Sequence, residues 1–132
     1  MSITPAKLAS VYKELRSELG GFQSDYFGLL YLESELQLSW EEAAKQIAFG
    51  PHDHGIDGFH LDAKKRTLNL YIFRHTRQHD QFRTGYDALI SDGLDELFGT
   101  AAPDEEMMRL LKKRLKEEAK SIERVVFQFI FL

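Results

Sequence analysis

Five basic residues, Lys64, Lys65, Arg66, Arg74 and Arg77, and two histidines, His75 and His79, fall between positions 64 and 79 with no acid among them. Such a run either solvates a turn and a strand end or forms a strip that faces phosphate groups. Just upstream, His52, Asp53, His54 and Asp57 share the glycine-bounded stretch from Gly50 to Gly58. Histidine is the commonest transition-metal ligand, and His75 and His79 repeat it at i, i+4, the spacing of a helical zinc pair. That pair straddles a strand end, however, and lacks the general-base Glu of a zinc hydrolase, so the histidines read as scattered surface residues. Asp53 reads as a turn residue bonding its own backbone. Gly50, Gly55 and Gly58 have no GK[ST] after them and open no helix, so they supply turn conformations and not a phosphate cradle. The serines lack a nucleophile-elbow context. Phe59, Tyr71, Phe73 and Phe82 could stack bases, but core packing accounts for them better.

The elements that must position these residues follow from periodicity. Thr4-Pro5 is a hydroxyl cap followed by Pro in a first helical turn. Leu8, Val11, Tyr12, Leu15 and Leu19 then keep helical spacing until Gly20-Gly21. Ser24 starts a second helix with Phe27, Leu30, Tyr31 and Leu36 inward. Ser39 and Glu42 form a capping box for a third, carrying Ala43 and Ile47 and closing at Gly50. From Pro51 the period changes. The run FHLD places Phe59 and Leu61 on one strand face, DAKKRT is a polar turn, and TLNLYIFRH alternates Leu68, Leu70, Ile72 and Arg74 against Asn69, Tyr71, Phe73 and His75. A helix is predicted over 82–97 and ends by Gly99. Another opens at Pro103 and buries Met108, Leu111, Leu115 and Ile122. The closing VVFQFIFL is apolar on both faces, which predicts a central strand parallel to 67–74 through a right-handed crossover.

At 132 residues the chain is one domain, 1–132, with a helical lead-in over 1–50 and a hairpin, helices and return strand over 51–132. An apolar fraction of 43% with 10 Phe and 5 Tyr excludes a disordered chain. No window approaches the roughly 18 apolar residues of a membrane span, and the opening residues are not the apolar run of a signal segment. The lack of Cys removes disulfides and thiolate metal sites and fits a cytoplasmic setting. A formal charge of −4 argues against nucleic-acid binding by bulk electrostatics. The sequence stops within its most hydrophobic element, so the expectation is the N-terminal part of a longer protein. The fold class expected is α/β, with α+β the alternative: a small mixed sheet of three or four strands flanked by helices.

The stretch from Trp40 to Phe98 resembles the N-terminal region of abortive-infection phage-resistance (AIPR) proteins, itself similar to the PD-(D/E)XK, or restriction-endonuclease-like, nuclease fold. The shared features are a helix, the turn from Gly50 to Gly58 with its Gly-Ile-Asp, an aromatic-rich strand, a polar turn, a second strand and an amphipathic helix with an early Phe. In that superfamily an Asp at the start of one strand and a Glu-x-Lys or Gln-x-Lys on the next converge on a site where carboxylates hold Mg²⁺. The metal polarises the phosphodiester and lowers the pKa of an attacking water. The resemblance implies Asp57 as the metal-binding Asp, Ile72 at the Glu position and Arg74 at the Lys position. Ile cannot ligate a metal, and Arg stays charged, so it can clamp a phosphate yet serves poorly in proton transfer. A strand expected before the hairpin is also missing, since Lys45 to Phe49 reads as the end of a helix: either the sheet is smaller than usual or the third helix is partly strand.

Related resolvase-like members recruit a Glu from an early helix, which implies Glu33, Glu35 or Glu42 as substitutes, Glu42 being already engaged as a cap. The leading expectation is therefore a degenerate nuclease-like domain of a bacterial anti-phage defence protein, binding nucleic acid weakly or positioning the rest of a longer chain. Asp57 and Arg74 are its relic catalytic positions. Lys64, Lys65, Arg66, Arg74, His75 and Arg77 would contact nucleic acid, DNA in preference to RNA. One alternative is an atypical Mg²⁺-dependent endonuclease using Asp57 with Asp53 and Glu33 or Glu35. Another is a homodimerisation or partner-docking module using the apolar terminal strand.

Overall fold

The structure, a computed structural model, describes residues 3–51, 55–74, 97, 99, 103 and 105–131. Helix α1 (Pro5–Leu19) begins where the sequence places it: the Thr4 hydroxyl accepts the Lys7 N–H at 3.2 Å. Helix α2 (Asp25–Leu36) is anchored differently from expectation. Ser24 makes no capping bond, and the Asp25 carboxylate instead takes the N–H groups of Phe22 at 2.7 Å and Gly50 at 2.8 Å. Helix α3 (Trp40–Lys45) is capped by Ser39, whose hydroxyl accepts the Glu42 N–H.

Three strands follow: β1 (Gly58–Asp62), β2 (Thr67–Arg74) and β3 (Arg124–Phe131), in the order β1-β2-β3. The hairpin is antiparallel with Phe59 opposite Leu70, and β3 runs parallel to β2 with Leu70 beside Phe127. Both pairings are those expected. The small mixed α/β architecture is thus confirmed, with helices on both sheet faces. Even-numbered residues of β2 (Leu68, Leu70, Ile72) join Phe59, Met107, Met108 and Leu111 in one core beneath helix α4 (Glu106–Glu118). Odd-numbered Tyr71 and Phe73 join Tyr26, Phe27, Leu29, Leu30 and Leu32 of α2 in the other. Because α2 lies between α1, α3 and the sheet, it is buried around most of its circumference. At Gly28 a Cβ would stand 2.8 Å from the Phe73 ring, so only glycine lets helix and strand approach this closely.

Three expectations are corrected. The third helix ends at Lys45, and Gln46 to Ala48 instead runs antiparallel beside the start of β1, with Ile47 bridged to Gly58. Two backbone bonds hold it: Ala48 N–H to Asp57 O and Phe59 N–H to Gln46 O, both 2.9 Å. Gly58 permits this, since a Cβ there would meet the Gln46 carbonyl at 2.9 Å. A strand-like segment therefore does precede the hairpin. Second, β3 is an edge strand among the described residues, not a central one: Val125, Val126 and Phe127 are 39%, 38% and 41% exposed. Its N-terminal half is exposed among the described residues, so apolarity on both faces did not enforce burial. Third, α4 starts at Glu106, not at Pro103. The Glu105 carboxylate takes the N–H groups of Met107 and Met108 and fixes the first turn there. The helix expected over 82–97 lies outside the described residues except for Leu97, which is buried in the α4-side core. No described helix is long and apolar enough to cross a membrane.

Candidate functional site

Asp57 sits one residue before β1, beyond the last hairpin pair, Gly58 with Tyr71. Its backbone N–H bonds the Tyr71 carbonyl at 2.9 Å. Its carboxylate Oδ2 accepts the Phe73 N–H at 2.9 Å and the Arg74 Nη1–H at 2.8 Å. Arg74 Nη1 also donates to the Phe73 carbonyl at 2.8 Å. The side chains are only 19% (Asp57) and 21% (Arg74) exposed. The carboxylate thus closes the end of the ladder and neutralises a partly buried guanidinium, a charge-assisted arrangement that fixes both side chains. Ile72 is fully buried in the α4-side core with Leu70 and Met108. The two positions of the Ile72-x-Arg74 pair are therefore filled by a core hydrophobe and an ion-paired cation.

The substitute acids do not gather here. Glu33 lines a hollow of about 310 Å³ between α1 and α2 with Lys7, Glu14 and Trp40. Burial pushes its carboxyl up, opposed by Lys7 and reinforced by Glu41. Glu35 lies toward the Thr67 end of β2 with Asp62 and Lys65, while Asp57 holds Phe73; six strand residues, about 20 Å, separate those ends. Glu42 stays at the N-terminus of α3, its carboxylate 3.5 Å from Lys45 Nζ. Asp53 lies outside the described residues. Among the described residues no three His, Cys, Asp or Glu side chains come together as a metal cage. Among the described residues, none joins Asp57 in the set of oxygen ligands that an octahedral Mg²⁺ site needs.

The basic strip is divided as well. Lys64, Lys65 and Arg66 occupy the hairpin turn, and Arg74 lies at the opposite end of β2, about 25 Å away at strand spacing. Arg66 is paired with Glu123 at 2.6 Å, and its carbonyl accepts the Glu123 N–H, which ties the turn to the start of β3. His75 and Arg77 lie outside the described residues.

A second site was not foreseen from the sequence. On the α2 side of the sheet, Thr67, Asn69 and Tyr71 of β2 and Arg124, Val126 and Gln128 of β3 floor a hollow of about 360 Å³ walled by Tyr31, Glu35, Asp62 and Lys65. Gln128 Nε2 donates to Asn69 Oδ1 at 2.9 Å, and Asn69 Nδ2 donates to the His60 carbonyl at 3.4 Å, so the floor amides are held across all three strands. Next to it, His60 Nδ1 lies 2.9 Å from the Gln46 side-chain oxygen. Burial, with help from Arg114 and against Asp62, holds the His60 pKa below the ordinary value. Tyr71 is 3% exposed. Burial first, then Tyr31, Asp62 and Glu35, push its phenol up to about 12. The clue available in the sequence was Gln128, the one polar residue within VVFQFIFL; what it lacked was the register that sets Gln128 beside Tyr71.

Neither models of known protein families, nor functionally characterised proteins, nor solved structures match the chain.

Proposed function

We propose that the chain is a degenerate nuclease-like domain of a bacterial anti-phage defence protein, acting as a scaffold that no longer cleaves phosphodiesters. The family assignment and the cytoplasmic setting rest on the resemblance of the Gly-Ile-Asp hairpin to AIPR proteins and are fold-level analogy. The observation that carries the loss of chemistry is the closed pair of Asp57 and Arg74 beside a fully buried Ile72. A carboxylate whose Oδ2 is committed to a backbone N–H and a guanidinium is a poor metal ligand, since the Arg74 charge already neutralises it and repels a second cation. Among the described residues, a nucleic-acid contact, DNA over RNA, would rest on the exposed turn lysines Lys64 and Lys65 and would be weak and salt-sensitive. The direct test is incubation of supercoiled and single-stranded DNA with the purified protein in Mg²⁺ or Mn²⁺. The proposal requires no cleavage beyond that of a mock purification. Cleavage that EDTA and Asp57→Asn both abolish would establish the atypical-endonuclease alternative instead.

One observation favours a second reading, in which the domain pairs with another copy. The exposed edge of β3 presents Val125, Val126 and Phe127 with Arg124 as the only charge on the strand, and natural edge strands are usually protected by inward charges, Pro or bulges. Sedimentation equilibrium tests it: self-association that rises with concentration supports pairing, and a monomer at high concentration removes it.

A further inference from the structure

The hollow over Tyr71 has features that core packing does not explain. Tyr71 is more than nine-tenths buried, lines the hollow, and its hydroxyl has no hydrogen-bond partner among the described residues. A buried hydroxyl without a partner is rare, because its desolvation is uncompensated. Four charged side chains, Glu35, Asp62, Lys65 and Arg124, line the same hollow, and none forms an ion pair among the described residues. Neighbouring charges on this surface do close such pairs: Arg66 with Glu123 at 2.6 Å and Arg114 with Glu118 at 2.9 Å. Asp62 and Lys65 share the hairpin turn, where Asp62 Oδ1 accepts the Lys65 backbone N–H at 3.1 Å, and the sheet holds Asp62 apart from Arg124. Asp62, Thr67 and Arg124 stand in one row across the three strands, so the backbones bearing acid and base are separated by about 10 Å.

We propose that this hollow binds a small zwitterion of the amino-acid class, its carboxylate held by Arg124 and Lys65, its ammonium by Glu35 and Asp62, and the Tyr71 hydroxyl bonded to its polar body. A purely anionic ligand would meet two carboxylates, and a purely cationic one would meet Arg124 and Lys65. A ligand carrying both charges satisfies both walls. The volume, about 360 Å³, is at the small end of the range for small-molecule sites. Tyr31, edge-on to Tyr71 with ring centroids 5.9 Å apart, gives the ligand's carbon skeleton an apolar wall.

The test is an NMR titration of the ¹⁵N-labelled protein with L-glutamine, L-valine and γ-aminobutyrate, using butyrate and n-butylamine as single-charge controls. At least one zwitterion should shift the Asn69, Tyr71 and Gln128 amides saturably, with both controls weaker by about tenfold or more. Tyr71→Phe should weaken that ligand by up to about tenfold and Arg124→Gln by about tenfold or more. Failure of all three zwitterions to saturate overturns the proposal, as does butyrate or butylamine binding as tightly as they do. Unchanged affinity in both variants also overturns it. The wild-type titration with its controls decides the matter alone if either variant does not fold.

Discussion

Replacing Ile72 by Glu would put an acid on β2 where the proposed nuclease likeness expects one, and its cost can be worked out from where Ile72 lies. The side chain is fully buried among Leu70, Phe59, Met108 and Leu111. Losing that apolar burial costs about 1.5–3 kcal/mol. Among the described residues this core offers the new carboxyl no polar partner, so it must stay protonated. Keeping protonated at pH 7 a Glu whose unfolded pKa is about 4.3 costs about 3.7 kcal/mol. The combined loss, about 5–7 kcal/mol, rivals the whole stability of a typical domain, about 5–15 kcal/mol. Its pH dependence has a definite sign. The folded pKa lies above the unfolded one, so the ionisation part of the penalty is absent below pH ~4, grows as pH rises through the unfolded pKa, and levels off only above the folded pKa. Urea unfolding followed by far-ultraviolet circular dichroism, comparing Ile72→Glu with wild type at pH 4 and pH 7.5, reads this out. Ile72→Met serves as the volume-conserving control and should cost less than about 1.5 kcal/mol. If Ile72→Glu stays within about 1 kcal/mol of wild type at pH 7.5, position 72 faces a polar site and the argument from burial is wrong.

Tyr71 predicts an alkaline transition. Its phenol ionises at about 12 in the fold against 10.0 outside it, so stability is lost as pH rises from 10 to 12, by up to about 2.7 kcal/mol. Tyr71→Phe should remove that slope and, by deleting an unpartnered hydroxyl, leave the protein at pH 7 as stable as wild type or more so; denaturant titrations at pH 8 and 11 check both. His60 acts at the acid end. Its folded pKa is depressed, so it contributes stability above pH ~6.5 that is lost as pH falls through that value. His60→Gln should flatten the fall in melting temperature between pH 7 and 5. Phe127→Lys, at an edge position 41% exposed, should change monomer stability by less than about 1 kcal/mol while abolishing any concentration-dependent association seen in sedimentation.

Local chemistry made the hairpin, the parallel return strand and the first helix legible. Alternation along TLNLYIFR divides the two cores as it was read, and Thr4-Pro5 caps α1 as its types require. What eluded the sequence depends on partners far along the chain. Gln46 to Ala48 continues a helical pattern, yet the Asp57 carbonyl and the Phe59 N–H draw it alongside β1. VVFQFIFL reads as central because each face is apolar, but among the described residues it is an edge strand whose first half is exposed. At the candidate site, the likeness set Asp57, Ile72 and Arg74 at the three motif positions as an expectation. Their closure into a pair that caps Phe73 needed the fold. The Tyr71 hollow was invisible for a similar reason: Glu35, Asp62, Lys65 and Arg124 span 90 positions of sequence and meet only through the strand register.

In the proposed scaffold, Asp57 belongs to a structural ion pair and not to a metal centre. Isothermal titration of Mn²⁺ into the wild-type protein and into Asp57→Asn tests it most directly. No saturable heat is expected in either protein up to millimolar Mn²⁺. Stoichiometric Mn²⁺ binding by the wild type that disappears in Asp57→Asn would contradict it and restore Asp57 as a working ligand.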